Sequence, residues 1–202
     1  MKSYSNHMNN SFFHILYSRR SIRNFKPDSI DSELIVQLLV AATQAPSAMH
    51  AQPCAFVIIQ DPALLKTISS DVKNNIRGQC KKLNEVSNHT LEIINQMNYE
   101  VFYNAPALIL ICSQFFSKFS AADCWLAAEN LMLCAQAKGL GSCIIGLSIE
   151  TFNLDKWKTL LDIPDNVEVI VPIIIGKPDE NPLTPQRRPV KIISWKTQTL
   201  ID

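Results

Sequence analysis

The chain has 202 residues, 47% hydrophobic and 18% charged, a composition that suits one domain with a well-buried core. Nineteen basic against eighteen acidic residues leave a formal net charge of +1. That balance supplies no field to gather nucleic acid or an anionic membrane surface, so any bound anion is expected to be small and held locally.

The first ten residues, MKSYSNHMNN, are polar and lack the apolar stretch of a signal peptide. The longest apolar run, VIVPIII at 169–175, falls short of the roughly 20 residues a membrane span needs. Residues 11–18 then carry Phe12, Phe13 and Leu16 at helical spacing. Next comes SRRSIRNF, three arginines within five residues. Asp31 predicts the cap of a second helix, with Leu34, Ile35, Leu38, Leu39 and Ala42 on one face and Pro46 past its end. CAFVIIQ at 54–60 predicts a buried strand. Asp61-Pro62 is a helix start, because an Asp cap followed by proline satisfies or removes orphan donors.

Residues 71–98 turn polar and asparagine-rich, which predicts one or two surface helices with a loop, a lid-like segment. PALILICS at 106–113 predicts a second buried strand. Residues 120–138 predict a long helix stopped by Gly139 and apolar on more than one face, hence central or at a subunit interface. A third strand is expected at SCIIGL, 142–147, a helix at 155–161 and a fourth strand at 167–175. Four prolines between 178 and 189 predict an extended arm over 177–202, and its apolar end (Ile192, Ile193, Trp195) needs a surface to pack on. The six cysteines form no CxxC and no zinc-like cluster, so no metal site is expected. Four lie in apolar surroundings, which points to reduced, buried thiols and a cytoplasmic protein.

The arginine cluster has two readings. Cations after a helix complement its macrodipole by about 0.3–1 kcal/mol. Alternatively, guanidinium forks and the Ser21 hydroxyl bind a phosphate. GLGSCIIG is likewise open between a helix stop running into a core strand and a ligand-covering turn. Its Gly139-x-Gly141 pair is too short and wrongly placed for a Rossmann fingerprint.

Five landmarks in order, RRSIRNF, APSAMHAQPCAFVI, YNAPALILI, DCWLAAENLMLCAQAKGLGSCIIG and VPIIIGKPDE…RRP, resemble the nitroreductase family of flavin enzymes over nearly the full length. The resemblance implies an α+β fold with a mostly antiparallel central sheet flanked by helices, in a homodimer whose subunits exchange the C-terminal arm. It implies FMN at the interface, reduced by NADH or NADPH. Arg19 and Ser21 would hold the phosphate, Arg20 the ribityl chain and Arg187 the same phosphate from the arm. Arg23 would face flavin N1 and O2, where a fixed cation favours reduction. Pro46, Ser47, Ala48 and His50 would approach the ring from the partner chain. The turn Ile144, Ile145, Gly146, Leu147 would cover the flavin, with Gly146 as the donor to N5.

Three positions depart from the family pattern: His50 stands for an Asn, Cys54 for a Trp, and residues 71–98 follow no shared pattern. The implied activity is ping-pong electron transfer from NAD(P)H to a nitroaromatic, quinone or similar small acceptor, with no protein nucleophile. A family member with another flavin reaction (dehalogenation, flavin destruction, dehydrogenation) and a flavin-binding sensor or carrier are the competing readings.

Overall fold

The structure is a computed structural model that describes residues 11–83, 88–96, 98–180, 182–183 and 186–197. The side chain of Cys80, Pro185 and the last residues of the arm, 198–202, lie outside what is described. In chain order the elements are α1 (Ser11–Ser18), α2 (Ser32–Thr43), β1 (Cys54–Ile59), α3 (Pro62–Leu83) and α4 (Asn88–Ile94). They continue with β2 (Ala107–Ser113), α5 (Ser120–Ala137), β3 (Gly141–Ile144), α6 (Ile149–Phe152), α7 (Asp155–Leu160) and β4 (Glu168–Gly176). The four strands form one sheet in the order β1-β2-β4-β3, every neighbouring pair antiparallel.

The local signals explain the helix boundaries. Asp31 accepts the Glu33 amide at 3.0 Å, and Asp61 accepts the amides of Ala63 and Leu64 at 2.8 and 3.2 Å. Both caps satisfy donors that a helix N-terminus leaves open. At the other end of α5, Gly139 takes φ +73° and the Leu140 amide returns to the Ala135 carbonyl, a turn that favours glycine.

Every residue of β2 is buried, as are eight of the nine in β4, because helices cover both faces of the sheet. On one face Ala107, Ile109 and Ile111 of β2 pack with Leu38 of α2 and Leu131 of α5. On the other, Leu108 and Leu110 meet Ile68 and Val72 of α3, Phe152 of α6 and Trp157 of α7. Each such fully buried side chain contributes about 1.5–3 kcal/mol. The ladder between β2 and β4 slips at Ile111/Cys112, and the extra residue on β4 is Ile170. Pro172 stands in register with Leu110, and its edge without a donor faces the end of β3, where the missing N–H is tolerated.

The polar segment at 71–98 holds two helical stretches: its first part continues α3, which runs from Pro62 to Leu83 without a break, and α4 follows at Asn88. Leu65, Ile68, Val72 and Ile76 keep helical spacing through the composition change, which affects only the outer face. The third strand ends at Ile144, not Leu147, because Pro172 accepts the Ile145 amide but has no N–H to return, and a 3-10 turn, Gly146–Ser148, follows. The breadth of apolar character on α5 is real. Leu131 and Met132 are buried, while Trp125 and Leu126 remain 44% and 48% exposed.

The segment between α1 and α2 runs as a strap beside β3. Ser21 bridges Ser142 in parallel, and the Ile22 amide donates to the Ser142 carbonyl at 3.0 Å. Further along, Phe25 bridges Pro178. Two glycines make room: a Cβ on Gly141 would stand 2.6 Å from Ile22 Cγ1, and one on Gly176 2.7 Å from Phe25 Cδ1. Past Glu180 the described residues of the arm are exposed, Ile193 at 92%.

Gly78, inside α3, has nothing within 4 Å of a built Cβ. Gly78→Ala should therefore raise stability by about 0.5–1 kcal/mol, whereas Gly141→Ala should lower it by about 1–3 kcal/mol through overpacking. Urea denaturation of the two variants checks the opposite signs.

Candidate functional site

Because the strap is extended beside β3, its side chains alternate. Ile22 is buried under Gly141, and Arg20 shares its side with Glu180 and Pro182 around a cleft of about 270 Å³. Arg19, Ser21 and Arg23 take the other side, around Cys143. Burial pushes the Cys143 thiol up, while Arg23, Ser21 and Arg19 each oppose that shift. Three of the predicted site residues thus form one polar face, and the fourth lies behind it.

The arginines differ in what they hold. Arg20 Nη1 donates to the carbonyls of Tyr17 and Arg19 at 2.7 and 2.6 Å, closing the C-terminal end of α1. Its Nε is buried and has no hydrogen-bond partner among the described residues. Arg19 Nε lies 3.4 Å from Glu129 on α5, which lays that side chain along the helix. Arg23 reaches over the Tyr103 ring, 6.0 Å from its centroid. Its backbone is held separately: Glu180 Oε1 accepts the amides of Arg23 and Asn24 at 2.7 and 3.1 Å. Beside Arg23, Tyr99 and Tyr103 pack edge to face with their hydroxyls 3.4 Å apart, and burial raises the Tyr99 phenol. These groups line a polar pocket of about 500 Å³.

The loop from Pro46 is strained and over-determined. Met49, His50 and Gln52 all have positive φ (53°, 56° and 47°), each costing on the order of 1 kcal/mol for a residue with a side chain. Ser47 Oγ accepts the Gln52 amide at 3.0 Å, and the Gln52 side chain bonds the His50 ring at 2.8 Å. The anchor is Asp123, a carboxylate buried in the first turn of α5, which accepts the Ala48 amide with both oxygens (3.2 and 3.3 Å). Tyr103 and Asn104, next to Arg23, form the second strained turn, with φ of 51° and 52°.

Within one chain the two clusters lie apart. Ser18, at the head of the strap, is bonded by Gln136 near the end of α5, whereas Ala48 is tied to Asp123 near its start. Roughly 20 Å of helix separates these anchors. Among the described residues no hydrogen bond or ion pair joins the loop to the strap, or Arg187 to either. In the turn after β3 the Ile145 amide is consumed by Pro172, while Gly146 and Leu147 are exposed.

The family model for the nitroreductase family matches residues 16–177. The chain belongs to the nitroreductase family. It superposes on a nitroreductase with bound FMN from Bacteroides fragilis with a TM-score of 0.75, at 25% identity over 96% of this chain and 100% of that one. An FMN-dependent nitroreductase from Clostridium difficile gives 0.74 at 28% identity, covering 92% of this chain and 99% of that one. An iodotyrosine deiodinase from Thermotoga neapolitana is 27% identical over 169 residues, 80% of this chain and 86% of that one. The fold is accordingly nitroreductase-like, and the family is one of oxidoreductases. Among the described residues no helix is long and apolar enough to cross a membrane, and no cluster of His, Cys, Asp or Glu could hold a metal ion.

Sequence reasoning missed Asp123, Glu180 and Tyr103. Asp123 alone had a readable signal, a carboxylate in the apolar run DCWLAA. Asp123→Ala should lower stability by about 1–3 kcal/mol by orphaning the Ala48 amide and speed hydrogen exchange at that amide. Asp123→Asn, which keeps one acceptor, should recover most of the protection.

Proposed function

We propose that this chain is a cytoplasmic, homodimeric, FMN-dependent oxidoreductase that takes hydride from NADH or NADPH and reduces a small electron-poor acceptor such as a nitroaromatic or quinone. The observation that carries the proposal is the polar face Arg19–Ser21–Arg23 of the strap, with Ser21 and Arg23 exposed and Arg19 half-buried against Glu129. A hydroxyl and two guanidinium groups there suit a phosphate at one end and an electron-rich ring edge at the other. The family's solved members with FMN support the same choice.

Arg19 and Ser21 would hold the phosphate, joined by Arg187 from the arm. Arg20, already committed to the carbonyls of α1, fits better as a brace behind the ribityl chain than as a direct phosphate ligand. Arg23 would stand at N1 and O2, steadied by Tyr103 and by its backbone bonds to Glu180. Gly146 or Leu147 would offer the amide to N5, since that of Ile145 is taken. When bound, FMN supplies hydride acceptance from the nicotinamide and electron delivery to the acceptor, so the chain needs no nucleophile of its own. The protein orients the ring, places a fixed cation where negative charge develops, and excludes water.

The separation of loop and strap along α5 favours a dimer, in which Pro46, Ser47, Ala48 and His50 complete the partner's site. The exposed apolar side chains of α1 (Phe12, Tyr17) and α5 (Trp125, Leu126) would be covered there, together with the arm after Pro189. Gln96 and Asn98, which share the pocket of Arg23 and Tyr99, would border the acceptor, whereas 71–83 belong to the core helix α3. The likeness to the deiodinase favours a second reading, reductive removal of halogen from a halogenated phenol.

Anaerobic NADH or NADPH should bleach the flavin of the loaded protein at roughly 1 s⁻¹ or faster, and a nitroaromatic should restore the colour. Flavin that stays oxidised would contradict the proposal, and reoxidation by halogenated phenols alone would favour the second reading. Arg23→Ala should lower the flavin midpoint potential, whereas Arg20→Ala should leave it unchanged and lower Tm. Equal effects on the potential would contradict the division of roles.

A further inference from the structure

The anchored loop ends at two thiols that the proposed chemistry does not use. Cys54 opens β1 directly after Pro53, and Cys124 follows Asp123 on α5. Both are free, and their sulfurs are 3.7 Å apart. Cys124 is fully buried, while half-buried Cys54 lines a cleft of about 90 Å³ with Pro46, Ser47, Gln52 and Asp123. A small oxidant therefore has a route to one sulfur and not to the other.

We propose that Cys54 and Cys124 form a reversible disulfide, with a hydroperoxide as the oxidant, that staples the end of the 46–53 loop to α5. The Cys54 thiolate attacks one peroxide oxygen, the O–O bond breaks, and an alcohol or water leaves with a proton. The Cys124 sulfur then attacks the Cys54 sulfenic sulfur. The S–S bond forms, the S–O bond breaks, and water departs with the Cys124 proton. Two thiols lose two electrons and the peroxide gains them.

The division of roles follows from the contact. The contact between the two sulfurs holds Cys54 below its ordinary value, against burial and the neighbouring Asp123 charge. The same contact, together with burial, pushes Cys124 up. Cys54 is thereby the attacking thiol and Cys124 the resolving one. Cys112 and Cys143 are buried and raised, and each bonds a backbone carbonyl rather than a sulfur, although Cys112 lies close enough to feel the charge of Cys54. The staple adds a covalent tie to a clasp held until then by the Ala48–Asp123 bonds.

The test is treatment of the reduced protein, as purified, with one equivalent of hydrogen peroxide, followed by thiol titration and peptide mapping. Two of the six thiols should disappear, in a single linked peptide pair containing Cys54 and Cys124 and lighter by two hydrogens. Dithiothreitol should restore both. Oxidation should also slow hydrogen exchange at Ala48 and Ala51. Cys124→Ser should leave a Cys54 sulfenic acid that dimedone traps, and Cys112→Ser should leave the pair unaffected. A full thiol count after peroxide, a link between any other cysteines, or Cys54 passing to sulfinic acid while Cys124 stays reduced would each overturn the proposal. Mapping of the unsubstituted protein decides the matter even where a variant fails to fold.

Discussion

The placement of the candidate site depends on one steric fit, the passage of the strap over two glycines at the β3 side of the sheet. Ile22 sits where a Gly141 side chain would be, and Phe25 where one on Gly176 would be. With Ile22 locked inward beside the Ser21–Ser142 bridge, the extended backbone leaves little choice for its immediate neighbours, and the alternation lapses before Phe25. Arg19, Ser21 and Arg23 turn one way and Arg20 the other. Moving the strap by a single residue would exchange those sets and present Arg20 and Ile22 to the ligand instead. The buried contact of Ile22 thus fixes the register of the charged groups, and the Glu180 carboxylate reinforces it by accepting two successive strap amides.

A second constraint acts at the opposite end of α5. A loop with three residues at positive φ persists only because its surroundings over-determine it. The Asp123 carboxylate does most of this, since a buried charge is tolerated only where it is hydrogen-bonded, and the Ala48 amide provides that bond. The same short stretch of α5 carries Cys124, so the helix that anchors the loop also holds the thiol facing Cys54. One helix therefore serves the strap at its end and the loop at its start, and its exposed Trp125 and Leu126 lie between. Covering those side chains with a second chain would bring the two halves of a site together.

What was legible in the sequence was local. Asp31 and Asp61-Pro62 announce their helices because a cap acts within three residues. The β-branched runs of β2 and β4 announce buried strands because both faces of the sheet are covered. That α3 continues past residue 71 shows only in the apolar period through Val72 and Ile76, because the composition around it changes. Which arginine faces which way could not be read, since alternation requires knowing that the strap pairs with Ser142. Nothing local marks Gly141 and Gly176 as points of close approach, since Ile22 and Phe25, which crowd them, come more than a hundred positions earlier. Asp123 and Ala48, or Cys54 and Cys124, are each at least 70 residues apart, beyond any local pattern.

The central claim is that the Arg19–Ser21–Arg23 face recognises the phosphate end of FMN. Each charge-assisted hydrogen bond to a phosphate contributes about 1.5–3 kcal/mol, and 1.4 kcal/mol is tenfold in affinity. Titration of the flavin-free protein with FMN and with riboflavin, identical except for the phosphate, isolates that contribution. The account predicts that FMN binds at least ~100-fold more tightly, and that raising the salt concentration narrows the difference. Equal affinities for the two flavins would contradict it.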